Sequence, residues 1–268
     1  MSAAVPIDGA GALERRLRAR RDGGAKLLVP YITGGMGDDW LEAVHAVADA
    51  GADAIEIGIP FSDPVMDGPT VQEASVRALA RGTTPASILT ALGRTEIGVP
   101  LAVMTYYNLV FRAGHRRFAD SLVAAGVSGA IVPDLPLDEA GGWREEAAAA
   151  GVETVFLVAP STPDERARRI CAASRGFVYG AGLMGVTGER TELASTARQV
   201  AGRLRTMTDT PVCIGIGVST AAQAAEVCGE ADGVVVGSAL VRRLLEGAGP
   251  EGAAAFVAEL RAGIDTGS

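Results

Sequence analysis

Short apolar, β-branched runs recur along the chain at residues 26–32, 53–58, 100–106, 129–132, 152–158, 176–180, 211–216 and 233–236. Between them lie Ala-, Arg- and Glu-rich stretches with apolar positions at helical spacing: 39–50, 70–80, 115–125, 138–150, 163–173, 191–206 and 220–228, with another from Ser238 onwards. An amphipathic segment, 11–21, precedes the first run. Short strands alternating with longer helices read as βαβ units. Eight such alternations with short connections predict an α/β fold, a closed parallel (β/α)8 TIM barrel with an extra N-terminal helix, in preference to an open sheet. Several helical segments end in Gly before the next strand, at Gly51, Gly126 and Gly151, where a C-cap favours it. No linker, low-complexity tract or composition break divides the sequence. The expectation is one barrel domain over residues 1–268, with 1–25 as an N-terminal helical extension and 249–268 as a C-terminal helix and tail.

Composition narrows the chemistry. Hydrophobic residues make up 48% of the 268 residues, enough for a sizeable core, while aromatics make up only 4%. A net charge of −8 repels polyanions, so nucleic acid is not an expected partner and any phosphate must be held locally by backbone N–H groups and helix ends. Cys171, Cys213 and Cys228 are odd in number and lack metal-ligand spacing, which reads as buried thiols in a reducing cytoplasm. The first ten residues carry no secretory pattern, and the apolar runs are too short to span a bilayer. A soluble cytoplasmic protein is expected.

In a barrel of this kind the chemistry sits on loops at the C-terminal ends of the strands. The second strand, DAIEIG at 53–58, alternates with period two: Ile55 and Ile57 share one face, Ala54, Glu56 and Gly58 the other. The isoleucines suit the helix layer, which places Glu56 inside the barrel near the mouth. Such a carboxylate must be solvated, paired or used; a salt-bridged packing Glu and a functional one are both open. The following loop carries three prolines, Pro60, Pro64 and Pro69, so its backbone is restricted. It returns a second carboxylate, Asp67, towards the same mouth, although Asp before Gly68 is also a common turn residue. Two converging carboxylates suit proton transfer combined with orientation of an N–H donor.

The phosphate end is suggested by three Gly-containing loop ends: GVTG at 185–188 after strand six, GIGVS at 215–219 after strand seven, and Gly237 with Ser238 after strand eight. Helix N-termini opened by glycine bind phosphate through backbone N–H groups without Lys or Arg. Each alone is also what an ordinary strand-to-helix turn or N-cap looks like.

The segment EIGIPFSDPVMDGPTVQ at 56–72 resembles the signature of the tryptophan synthase α-subunit family, and the resemblance runs along nearly the whole chain, through TYYNLVF at 105–111, VPDLP at 132–136 and FVYG at 177–180. It implies that Glu56 is the general acid/base and that Asp67 binds the indole ring N–H. It places Thr187, Gly188, Gly217, Gly237 and Ser238 in the phosphate cradle, Tyr179 beside the catalytic Glu, and Tyr106 in the wall of the indole pocket. For both tyrosines, a core or rim role with a satisfied hydroxyl stays open. The chain departs from the family pattern at Leu28, at 33–38 and at 182–184.

The implied reaction is retro-aldol cleavage of indole-3-glycerol phosphate to indole and glyceraldehyde 3-phosphate, with no metal, redox cofactor or Schiff-base lysine. Lys26 is the only lysine and sits at the start of strand one, the wrong end for catalysis. The implied partner is a PLP-dependent tryptophan synthase β subunit. Three alternatives stand beside this reading: a stand-alone lyase releasing free indole, another phosphate-handling barrel isomerase or synthase, and a non-catalytic regulatory subunit.

Overall fold

The computed structural model describes residues 9–182, 190–215 and 217–266, the side chains of 190–195 excepted. Its eight parallel strands close into a barrel in sequence order. They are β1 (Leu27–Thr33), β2 (Ile55–Gly58), β3 (Leu101–Met104), β4 (Val127–Ile131), β5 (Glu153–Val158), β6 (Val178–Ala181), β7 (Val212–Gly215) and β8 (Gly233–Val236). Around them run α1 (Ala12–Asp22), α2 (Trp40–Asp49), α3 (Pro69–Ala80), α4 (Pro85–Leu92), α5 (Tyr107–Ala113), α6 (His115–Ala124), α7 (Gly141–Ala150), α8 (Asp164–Ala173), α9 (Arg190–Arg205), α10 (Ala221–Cys228), α11 (Ser238–Leu245) and α12 (Gly249–Thr266). Among the described residues no helix is long and apolar enough to cross a membrane.

Strand parity sorts the core into two layers. Leu28, Ile32, Ile55, Ile57 and Val103 pack outward against the helices, whereas Leu27, Val29, Ala54, Ala102, Val155, Phe177, Cys213 and Val235 fill the barrel interior. The three cysteines are free and buried. The predicted glycines turn the chain with positive φ: +108° at Gly51, +73° at Gly126 and +86° at Gly151. A side chain there would be strained, so each helix stops where the strand must begin.

Helix α1 stoppers the N-terminal end of the barrel. Its Leu13 and Leu17 are fully buried in the interior cluster. The buried Glu153 carboxylate accepts the Leu13 and Glu14 backbone N–H groups at 2.8 and 3.0 Å, satisfying two first-turn donors that have no helical partner. Glu14 in turn accepts the Gly176 N–H at 3.2 Å. Beside this stopper the Lys26 ammonium donates to the Ala231 carbonyl at 3.0 Å, far from the loops that follow the strands. Asp53 ties the same end together: it accepts from Arg20 Nε at 2.7 Å, Arg261 Nη1 at 3.1 Å and the Leu28 N–H at 2.9 Å. With the bottom filled, free volume inside the barrel lies towards the C-terminal ends of the strands.

Two helices were not foreseen from the sequence. One is α4, opened by a capping box in which Thr84 and Ser87 satisfy each other's backbone N–H groups, with Pro85 in the first turn. The other is α5, which begins at Tyr107, directly after the strand expected over 100–106, in a stretch that the periodicity left unassigned.

Candidate active site

A cavity of about 730 Å³ opens at the C-terminal mouth, within the range of small-molecule sites. Its polar groups are Tyr31, Glu56, Asp67, Tyr179 and Ser238; its apolar wall includes Met104, Ile131, Leu157 and Val235. The two carboxylates singled out by the sequence thus face one space.

Glu56 sits on β2 in register with Tyr31 of β1 and Ala102 of β3. It points inward because its neighbours Ile55 and Ile57 are claimed by the helix layer. The residue is 1% exposed, and among the described residues its Oε2 has no hydrogen-bond partner. Burial pushes its pKa up to about 8, helped by the charge of Asp67. A salt bridge to a basic side chain, the packing alternative, is not what the described residues show.

Asp67 is delivered by a braced loop. The Val65 and Asp67 N–H groups donate to the Asp63 and Pro64 carbonyls at 2.9 and 3.0 Å, and the Gln72 amide of α3 donates to the Asp67 carbonyl at 2.9 Å. Gly68 then caps α3 with Pro69 in the first turn. The Asp-Gly turn chemistry and a site role therefore coexist: the turn is what aims the carboxylate. Burial raises the Asp67 pKa to about 6, against the lowering effect of a hydrogen bond with Tyr106.

Tyr106 stands behind the wall instead of forming it. Its ring stacks on Phe61 with centroids 5.0 Å apart, and its hydroxyl accepts the Met66 N–H at 2.9 Å. The cavity surface at this point is Met66 and Asp67 themselves. The aromatic at the end of β3 is consumed in holding the loop, which parity alone could not reveal. Tyr179 does line the cavity, its ring reaching across β7 into the space that a side chain at Gly215 would need. Burial and then Glu56 hold its phenol well above the ordinary range, so it stays protonated.

At the far side Gly217, Gly237 and Ser238 line the same cavity. The two helix starts differ. Thr220 caps α10 by accepting the Gln223 N–H at 3.3 Å, whereas the N-cap of α11 is Gly237, which offers no side-chain cap. The first N–H groups of α11 are the ones left open to an anion. Thr187 and Gly188 lie outside the described residues. Tyr31 is a cavity residue that the sequence reading passed over, though it has the same inward parity as Leu27 and Val29.

The model of the family described as tryptophan synthase alpha chain matches residues 17–264. The chain belongs to that family. It is 47% identical over 258 residues to the tryptophan synthase alpha chain of Streptomyces coelicolor (strain ATCC BAA-471 / A3(2) / M145), covering 92% of this chain and 93% of that one. Identity to the tryptophan synthase alpha chain of Thermobifida fusca (strain YX) is 45%, over 94% and 97% of the two chains. A chain of Mycobacterium tuberculosis tryptophan synthase in space group F222 superposes with a TM-score of 0.88 at 41% identity, covering 96% of this chain and 99% of that one. Tryptophan synthase subunit alpha from Legionella pneumophila str. Paris superposes at 0.86 with 30% identity, over 96% and 100%. The chain is thus a lyase of the tryptophan synthase alpha type, acting on indole-3-glycerol phosphate in tryptophan biosynthesis.

Proposed function

We propose that Glu56 and Asp67 divide the work of the retro-aldol cleavage between them. The observation that carries this is one cavity holding two carboxylates with separated pKa values, about 8 and about 6. At neutral pH Glu56 then carries a proton to give and Asp67 carries a charge. Glu56 protonates indole C3, the C–C bond to the glycerol carbon breaks, and its electron pair returns to the ring. The hydroxyl on that carbon becomes the aldehyde as its proton passes to the Glu56 carboxylate, restoring the acid. Asp67 accepts the ring N–H, whose positive charge grows as C3 is protonated. The open N–H groups of α11 at Gly237 and Ser238, with Gly217 opposite, take the phosphate; Thr187 and Gly188 complete the cradle by family resemblance. Tyr179 lines the same cavity, with its phenol close enough to Glu56 to feel that group's charge.

A tryptophan synthase β subunit is the proposed partner, and the cytoplasm the proposed setting. The β2–α3 loop presents Val65 at 80% exposure and α5 presents Phe111 at 66%, apolar surface of the kind interfaces use. The test is to supply the purified chain with indole-3-glycerol phosphate and measure indole and glyceraldehyde 3-phosphate, alone and with a β subunit from the same source. Equimolar release that rises tenfold or more with the β subunit, about 1.4 kcal/mol of barrier, supports both proposals. Fast release that the β subunit leaves unchanged makes the chain a stand-alone lyase, and no release sinks the proposed chemistry.

A further inference from the structure

Beside the two carboxylates the cavity holds a phenol with no role so far. Tyr31 is in register with Glu56 across the β1–β2 pair, and it is buried. Its hydroxyl occupies the place where a side chain at Gly58 would begin. Gly58 lies two residues beyond Glu56 on the same face of β2, so the phenolic oxygen sits one layer nearer the mouth than the Glu56 backbone. Thr33, fully buried at the end of β1, donates its hydroxyl to the Tyr31 oxygen at 3.2 Å. A phenol that accepts from Thr33 keeps its own proton for another acceptor. Burial raises its pKa far above the ordinary range, against the lowering effect of the Thr33 hydrogen bond and with Asp67 and Glu56 adding to the rise, so the group stays protonated and is a donor near both carboxylates. A phenylalanine would fill the same volume without burying an oxygen.

We propose that the Tyr31 hydroxyl donates a hydrogen bond to the substrate oxygen that becomes the aldehyde, with Thr33 fixing the direction of the phenol. That oxygen grows more negative as its proton leaves for Glu56, so a preset donor favours the transition state over the bound substrate. No proton is transferred from Tyr31; the phenol begins and ends the cycle intact. The proposal rests on the reading of Glu56 as the acid/base.

The test compares two ligands in the full-length chain. One is indole-3-glycerol phosphate; the other is indole-3-propanol phosphate, which keeps ring and phosphate and lacks both glycerol hydroxyls. Tyr31→Phe is expected to lower kcat roughly 10- to 100-fold while the Kd for the propanol phosphate stays within about twofold. Thr33→Val, which leaves the Tyr31 ring in place, is expected to lower kcat by a smaller factor with the same indifference of the analogue. If Tyr31→Phe does not yield folded protein, the Thr33→Val pair of measurements decides alone. A kcat within about twofold of wild type, or an equal loss in kcat and analogue affinity, overturns the proposal. Glu56→Gln assayed in parallel separates the failures. If it is inactive while Tyr31→Phe is unimpaired, only the Tyr31 role falls; if it still turns over, the reading beneath falls with it.

Discussion

The Tyr106 hydroxyl accepts the backbone N–H of Met66 at 2.9 Å, across 40 residues of sequence. That one bond fixes the loop position immediately before Asp67, and the same hydroxyl stands close enough to the Asp67 carboxylate to lower its pKa. Tyr106→Phe keeps the stack on Phe61 and removes both interactions. The expected result is a kcat/KM loss of about 10-fold with less than about 1.5 kcal/mol of lost stability, the size of one hydrogen bond. Steady-state kinetics beside thermal melts would check it; unchanged kinetics would mean that the prolines and the loop's other hydrogen bonds, including the Gln72 amide on the Asp67 carbonyl, hold it without Tyr106.

The acidities of Glu56 and Asp67 predict pH dependence in two observables. Activity should follow a bell with limbs near pH 6 and 8, where Asp67 gains and Glu56 loses its proton. Stability should fall as pH rises. The folded-state pKa of Glu56 is raised from 4.5 to about 8, so the folded protein binds that proton more tightly than the unfolded chain. The contribution is fully present below pH 4.5 and lost by about pH 8. Glu56→Gln removes this loss. Its stability relative to wild type should therefore climb across that window, by at most about 1.4 kcal/mol per pH unit. Denaturant unfolding at several pH values would show it; a difference that stays flat would contradict the burial of an ionisable Glu56.

A side chain at Gly217 would meet nothing within 4 Å among the described residues, so Gly217→Ala is expected to fold normally. The added methyl nevertheless stands in the cavity where the phosphate is proposed to sit. The expectation is a KM raised by roughly an order of magnitude, with kcat changed less, and weakened inhibition by inorganic phosphate. Equal KM values for variant and wild type would move the phosphate elsewhere.

Away from the site, Asp53 holds two arginines from α1 and α12. Arg261 is 11% exposed, and its buried Nε has no hydrogen-bond partner among the described residues. Asp53→Ala would leave that charge to the exposed Asp265 alone, which accepts from its Nη2 at 2.6 Å, and would remove the acceptor of the buried Leu28 N–H. A loss of about 3 kcal/mol in denaturant unfolding is expected, with KM unaffected in the protein that remains folded.

Much of this was readable in the sequence because two periods differ. Period-two strands such as 53–58 announced which side of β2 faces inward, and that placed Glu56 correctly relative to Ile55 and Ile57. Gly51, Gly126 and Gly151 marked helix ends because only a positive φ turns the chain there. What stayed hidden depended on contacts between distant segments. The run at 105–111 has strand-like residues, yet α5 forms from Tyr107, whose N–H is taken by the Asp134 carboxylate at 2.9 Å. Tyr106 was expected in the pocket wall, and only the fold shows its hydroxyl engaged by Met66. Helix α4 was missed although Thr84, Pro85 and Ser87 spelled out its start. Tyr31 drew no notice since a tyrosine in a strand is ordinary until its partner on the neighbouring strand is a buried carboxylate.

The role proposed for Glu56 is to move the proton. Glu56→Gln keeps the shape and removes the acid, so single-turnover measurement with indole-3-glycerol phosphate isolates that role. The expected rate is at least about 100-fold below wild type, with substrate affinity within about threefold. A variant that retains more than about a tenth of the wild-type rate, a barrier change below roughly 1.4 kcal/mol, would contradict it.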